Sequence, residues 1–240
     1  MVVLGAHTTG TAIAIAARRA GYDVIICDAA DPPWTRRGRS FTNAWYVGNA
    51  EVDGEGAQFC ASVKSIPSVL ARRDMIAATT WSWQGVAGAL LPQVLVDART
   101  DCEPAVLRNT APEGLLTVGV GRGAAGLQLQ VAAEPDERTN LFCTTAAVPG
   151  RFATARRIGD RVLAGETVGA IGSTTVTSPC SGVLLGLSAR GARLAAGQTV
   201  VEVDPAGDPA RCFELDQRSR AVAARVIAAV AEVAPAMPRR

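Results

Sequence analysis

Apolar residues fall in short runs along the first half of this chain, with a helical period between the first two. Val2 to Leu4 is one such run, and Val24 to Cys27 is a second that closes on Asp28. Between them Ile13, Ala16, Ala17 and Ala20 share one helical face. The predicted order is strand, tight turn, helix, strand. Further runs at Met75–Thr79, Val94–Asp97 and Leu115–Val120 predict strands, with helices over Ser68–Arg73 and Gln84–Leu91. The stretch Asp31–Gly54 opens with two prolines and reads as a loop. Near the end, Val222, Val226, Val230 and Val233 form one stripe of a helix over Leu215–Val233, with Arg218, Arg220 and Arg225 off it. That stripe is expected to pack on the body of the protein.

Between these regions the period drops to two and the sequence repeats itself. RIGDRVLAGETVGAI at 157–171 and ARGARLAAGQTVVEV at 189–203 align at a spacing of 32, matching Gly159 to Gly191, Gly165 to Gly197 and Val168 to Val200. Glycine turns flanking β-branched runs are hairpin chemistry. The copies flank a third hairpin, Val176 to Leu187. Together they resemble a small two-fold β-barrel of the biotinyl/lipoyl type, a barrel-sandwich hybrid. The predicted inward residues are Val162, Val168, Ile171, Val183, Leu185, Leu194, Val200 and Val203. Carrier domains of that type attach their group to a lysine at a hairpin tip. Here the tip falls near Gly172–Thr175, and the chain's single lysine is Lys64. Covalent biotin or lipoate is therefore not expected.

The predicted fold class is α/β: a Rossmann-like doubly wound parallel sheet over 1–150, the barrel over 151–208, and a C-terminal helix over 209–240. With 240 residues, one large or two small domains fit. A net charge of +2 is too weak to argue for nucleic acid. No apolar run reaches the roughly 20 residues of a membrane span. The N-terminus enters a strand with no basic segment, so no secretory leader is expected. Six cysteines lie 32 to 42 residues apart with no close pair, which excludes zinc-finger spacing and suits a reducing cytoplasm. No metal ligand set is expected.

Candidate chemistry gathers after the strands. The loop Gly5-Ala6-His7-Thr8-Thr9-Gly10, with Asp28 further on, partly matches the dinucleotide fingerprint. Gly5, Gly10 and Asp28 fit. His7 stands where a second glycine would let backbone approach a pyrophosphate. Arg36, Arg37 and Arg39 follow the second strand and are candidates to grip phosphate. As exposed loop charges, Arg36 and Arg37 replaced together by alanine are expected to leave the melting temperature almost unmoved. A second glycine loop, Gly119-Val120-Gly121-Arg122-Gly123-Ala124-Ala125-Gly126, is a candidate anion nest or a plain turn. Cys102 and Cys180 are weak candidates for sulfur or selenium transfer, which needs a thiol activated by positive charge.

In order along nearly the whole chain, these elements resemble the bacterial accessory proteins of the selenium-dependent molybdenum hydroxylase system, the YqeB type. The specific parts are the Arg-Arg-x-x-Ser-Phe stretch leading to Ala-x-Tyr (Arg36, Arg37, Ser40, Phe41, Ala44, Tyr46) and the barrel with its exit at Asp204-Pro205. The Val-Asp-Ala-Arg strand end at Val96 to Arg99, the 119–126 loop and Cys212 complete the match. The chain departs from the family at His7 and its neighbouring threonines. It also departs at Gly121-Arg122-Gly123-Ala124, where Gly-Pro-Gly-Phe is usual, and at Glu134–Asn140, where Glu-Thr-x-Arg-Gly-His is usual. The lysine after the Asp-Ala-Arg strand is missing too.

The resemblance implies a role in building or activating a molybdenum hydroxylase. The partners would be that client or its cofactor-synthesis proteins, and the ligand a nucleotide or molybdopterin-type cofactor. Two other readings stand beside it: an NAD(P)-dependent oxidoreductase, for which no Tyr-x-x-x-Lys pair exists, and a non-catalytic interaction protein that keeps the fold.

Overall fold

The computed structural model describes residues 1–99, 112, 114–121, 129–131 and 141–233. Within these residues an eight-stranded sheet forms the first layer, in the order β3-β4-β5-β2-β1-β6-β7-β8. Its strands are β1 (Val2–Leu4), β2 (Ile25–Cys27), β3 (Asn49–Val52), β4 (Glu55–Phe59), β5 (Met75–Thr79), β6 (Val94–Asp97), β7 (Leu116–Val120) and β8 (Leu129–Val131). The helices are α1 (Thr8–Arg19), α2 (Ala44–Val47), α3 (Ile66–Ala71), α4 (Trp83–Leu90) and α5 (Gln217–Val233). On one side of β1 lie β2, β5, β4 and β3, and on the other β6, β7 and β8, so the chain changes sides between β1 and β6. In open α/β sheets, that change of sides opens a crevice at the strands' carboxyl ends.

The expected all-parallel sheet is corrected to a mixed one. β3 pairs antiparallel with β4, inside and just past the stretch read as loop. Its turn is Asp53-Gly54, with φ of 56° and 77°. Both central residues with positive φ make the mirror-image turn that matches strand twist, and Asp-Gly is its usual sequence.

Asp53 also closes a charge cluster. It accepts from Arg19 Nη1 at 2.9 Å and from Arg220 at 2.7 and 2.9 Å, joining the hairpin to α1 and α5. Arg220 first, then Arg19, holds the Asp53 carboxyl below its ordinary value of 3.8. A lowered folded value gives stability that is present above 3.8 and lost as the pH falls through the folded value. Both arginines are about half exposed, at 47% of their side-chain surface. Asp53→Asn is therefore expected to lose only about 1 kcal/mol at neutral pH. In urea titrations the gap from wild type should close at pH well below 3.8; a gap that persists there would assign the loss to something other than this charge.

Two cores flank the large sheet. One packs α1 and α5 against it through Ile13, Ile26, Val96, Val222, Val226 and Val230. The Val stripe of α5 thus faces the protein as expected, except Val233, which is 54% exposed. The other core places Val69 of α3 and Trp83 and Val86 of α4 against Val2, Ile25 and Leu95.

The repeat region forms two four-stranded sheets, β13-β12-β10-β15 and β11-β14-β16-β9. Their strands are β9 (Phe142–Thr145), β10 (Gly150–Ala153), β11 (Arg161–Val162), β12 (Thr167–Ile171), β13 (Thr174–Thr177), β14 (Gly182–Leu187), β15 (Arg193–Leu194) and β16 (Thr199–Asp204). The 157–171 copy supplies β11 and β12, and the 189–203 copy supplies β15 and most of β16. β9 pairs with β16, so these sheets draw on residues before 151. All eight predicted inward residues are buried. Val183 and Leu185, two apart on β14, face a second small cluster with Cys212, while Leu184 and Leu187 face the core between the small sheets, so both faces of the strand are covered.

Candidate functional site

The loop from Gly5 to Gly10 turns at the carboxyl end of β1 and is held by its own neighbours. Gly5 has φ of 96°, a conformation that favours glycine. Gly10 permits a close crossing: a Cβ there would stand 1.8 Å from the Gly5 carbonyl oxygen. Thr11 and Thr42 hydroxyls both donate to the Ala6 carbonyl, at 3.2 and 3.0 Å. The Phe41 N–H in turn donates to Thr11 Oγ1 at 2.9 Å. The Ser-Phe stretch thus locks the loop from behind.

His7 caps α1. Its Nδ1 accepts from the Thr9 N–H at 3.3 Å, and its Nε2 bonds the Ala98 carbonyl at 2.8 Å. A carbonyl only accepts, so the bonding assigns the ring proton to Nε2. Asp28 ends β2, as a dinucleotide-fold acid would. Here Oδ2 accepts from the Ala6 N–H at 2.6 Å and from Trp34 Nε1 at 2.7 Å, while Oδ1 accepts from the Ala29 N–H at 2.7 Å. Trp34 meets the His7 ring edge-on, with centroids 4.9 Å apart. Side chains of this chain therefore occupy N–H groups that an anion would use.

On the other side of the crevice, Asp97 at the end of β6 is buried and bound by the Arg99 guanidinium through two bonds of 2.9 Å. A Cβ on Gly5 would lie within 3.2 Å of both the His7 ring and Arg99 Cγ, so these two side chains meet over Gly5. Gly119 pairs with Asp97 across β6 and β7, placing it at the same edge. The Gly121 N–H donates to the Val131 carbonyl at 2.9 Å, which ties it to β8. The structure thus brings together Gly5, His7, Gly10, Asp28 and Gly119. It adds Trp34, Asp97 and Arg99. An acid and an arginine two residues apart at a strand's carboxyl end were the legible signal for the last two. Arg122, Gly123 and Cys102 lie outside the described residues, as does Glu134–Asn140.

The three loop arginines go elsewhere. Arg36 bonds Glu202 through Nε and Nη2, both at 2.8 Å, and the Thr35 hydroxyl bonds the other oxygen of that carboxylate. Arg37 donates to the Leu187 carbonyl at 2.8 Å, the Ser188 carbonyl at 3.4 Å and Asn43 Oδ1. Arg39 donates to the Arg211 carbonyl. Burial lowers the guanidinium pKa of both Arg37 and Arg39. These side chains fasten the loop after β2 to β14, β16 and the Cys212 segment. The expectation that they are exposed charges without weight in folding is corrected.

The thiols of Cys27, Cys60, Cys180 and Cys212 are all raised rather than activated. Burial pushes Cys27 up to about 12. Burial, then Asp204, pushes Cys180 up, and burial raises Cys60 and Cys212. Sulfur or selenium transfer favours the opposite direction. Among the described residues no cluster of His, Cys, Asp and Glu is placed to hold a metal ion, and no helix is long and apolar enough to cross a membrane.

No family model matches the chain. It is 23% identical over 256 aligned positions to the uncharacterized protein YqeB of Escherichia coli (strain K12). The match takes in 96% of this chain and 47% of YqeB, so the chain spans about half the length of that relative. Among solved structures it is similar to a succinylglutamate desuccinylase/aspartoacylase from Rhodobacter sphaeroides. That similarity has 15% identity and a TM-score of 0.27, over 77% of this chain and 58% of the other.

Proposed function

We propose that this protein is an accessory or maturation factor for a molybdenum hydroxylase, binding an anionic nucleotide or pterin cofactor where β1 and β6 part. The observation that carries the reading is the convergence of the α1 N-terminus, Asp28 and Arg99 where the chain changes sides. A helix N-terminus offers positive potential to an anion there, and Arg99, held by Asp97, adds fixed positive charge. The strand succession reads as a doubly wound, Rossmann-like sheet. The two small sheets read as a barrel-sandwich hybrid without an attachment lysine, suited to docking the client or its cofactor-synthesis proteins. Similarity to YqeB supports the same placement.

Trp34 Nε1 occupies the Asp28 oxygen that a ribose or pterin hydroxyl would take. Ligand entry then exchanges one bond for another. Trp34→Phe removes the competing donor and keeps the ring against His7. Its affinity for a molybdopterin nucleotide should rise about threefold or more, from a bond worth roughly 0.5–1.5 kcal/mol. A thermal-shift panel with CTP, ATP, NAD(P) and a molybdopterin nucleotide reads this directly, because ligand bound to the native state raises its stability. Weaker binding by the phenylalanine variant would reject the exchange.

A second reading, a non-catalytic interaction protein, is favoured by a different observation. His7 Nδ1 and Asp28 Oδ2 already hold the Thr9 and Ala6 N–H groups. No shift with any ligand of the panel would select it. The dehydrogenase reading gains no proton-donor pair: Lys64 lies in an exposed turn just before α3.

A further inference from the structure

On the outer face of the sheet β13-β12-β10-β15, arginines are stacked against one another rather than paired with acids. Arg151 on β10 and Arg193 on β15 are direct cross-strand partners, and both are exposed. Like charges opposite one another destabilise a sheet. Arg151 Nη1 donates to the Gly191 carbonyl, at 2.8 Å. Among the described residues no carboxylate forms an ion pair with Arg151, Arg190 or Arg193.

Strand alternation places Arg151 and Ala153 on this same face, since Phe152 between them is buried. The next row, Ala153, Ala170 and Thr175, follows from the pairing of β10, β12 and β13. These small residues floor an open groove of 460 Å³, with Arg156 and Arg190 in its walls. Among the described residues, Arg156 pairs with an acid, Glu166, while Arg190 in the groove wall and the neighbouring Arg151 and Arg193 on the same sheet do not.

We propose that this groove is a docking site for an extended acidic segment of a partner protein, with Arg151, Arg190 and Arg193 gripping its carboxylates. Forked guanidinium donors match carboxylates, and a floor of alanine, glycine and threonine lets a backbone lie close. Charge that merely guards a sheet edge belongs on β15; Arg151 sits on an interior strand, between β12 and β15. Single-stranded nucleic acid is disfavoured because the groove lining holds no aromatic ring on which a base would stack. The inference stands apart from the crevice at β1 and β6.

The test is fluorescence anisotropy with a labelled peptide of alternating glutamate and alanine at low salt. Arg193→Glu turns the repulsive cross-strand pair into an attractive one. It should keep or raise the melting temperature while weakening the peptide at least about tenfold. Arg151→Glu provides the same comparison from the other strand. Lys64→Glu makes an equal charge change elsewhere and should leave affinity unchanged. Salt should weaken wild-type binding. The proposal is overturned by absence of peptide binding to the wild type or by unchanged affinity in both arginine variants. Equal weakening by Lys64→Glu, or tighter binding of an oligo-thymidine probe than of the peptide, overturns it as well.

Discussion

Arg36→Ala is expected to destabilise the folded protein by about 2–3 kcal/mol, seen as a lower urea midpoint with an unchanged slope. Glu202 is the reason. It lies on β16 with only 8% of its surface exposed, and Arg36 supplies its compensating charge. Removing one member of a buried pair leaves the other charge stranded, at roughly 3–5 kcal/mol when burial is complete. Arg36 keeps 27% of its side-chain surface in solvent, so water can reach the gap and the lower figure applies. The double variant Arg36→Ala with Glu202→Gln no longer strands a charge. It should recover at least half of the loss, because Thr35 can still bond the amide oxygen. A double variant as unstable as the single one would show that the loss came from packing.

Gly10→Ala is expected to be the more damaging change, at roughly 3 kcal/mol or more. Alanine normally stabilises a helix interior by about 0.5–1 kcal/mol relative to glycine. At Gly10 that gain is overwhelmed, because the new methyl would lie 1.8 Å from the Gly5 carbonyl oxygen, a backbone atom that cannot rotate away. The loop would have to lift off α1, breaking the Thr11 and Thr42 bonds to Ala6. Gly88→Ala is the internal control. It also lies within a helix, α4, where the added Cβ meets nothing within 4 Å, so it should stabilise by about 0.5–1 kcal/mol. Chemical denaturation of both variants separates the two outcomes. Equal effects would mean that the crossing at Gly10 is looser than described.

Local patterning carried most of the fold into the sequence. β1, β5 and β6 coincide with the apolar runs that predict them, because central parallel strands are covered on both faces and read as continuous hydrophobic stretches. The repeat marked strands of the small sheets by their period of two, with Gly165 and Gly197 at positive φ in equivalent turns, but its copies are not the expected hairpins: β11 and β12 lie in different sheets, as do β15 and β16, and as do β13 and β14 of the third expected hairpin. The β3–β4 hairpin was hidden between two prolines and a polar edge, although Asp53-Gly54 announces its turn. The site was less legible. Gly5, Gly10 and Asp28 follow from spacing, but what an arginine touches is a long-range fact. Arg36 and Glu202 lie 166 residues apart, and no local period connects them. Trp34 gives no such signal, because a lone tryptophan in a loop carries no period, and its bond to Asp28 exists only once β1 and β2 are paired.

Hydrogen exchange of the whole protein, with and without a molybdopterin nucleotide, tests the central reading most directly. Ligand at the β1–β6 crevice should slow exchange of the amides from Gly5 to Gly10 and around Asp28 and Arg99. The amides of β10, β12 and β15 should exchange as before. Protection confined to the two small sheets, or none at saturating ligand, would contradict the assignment.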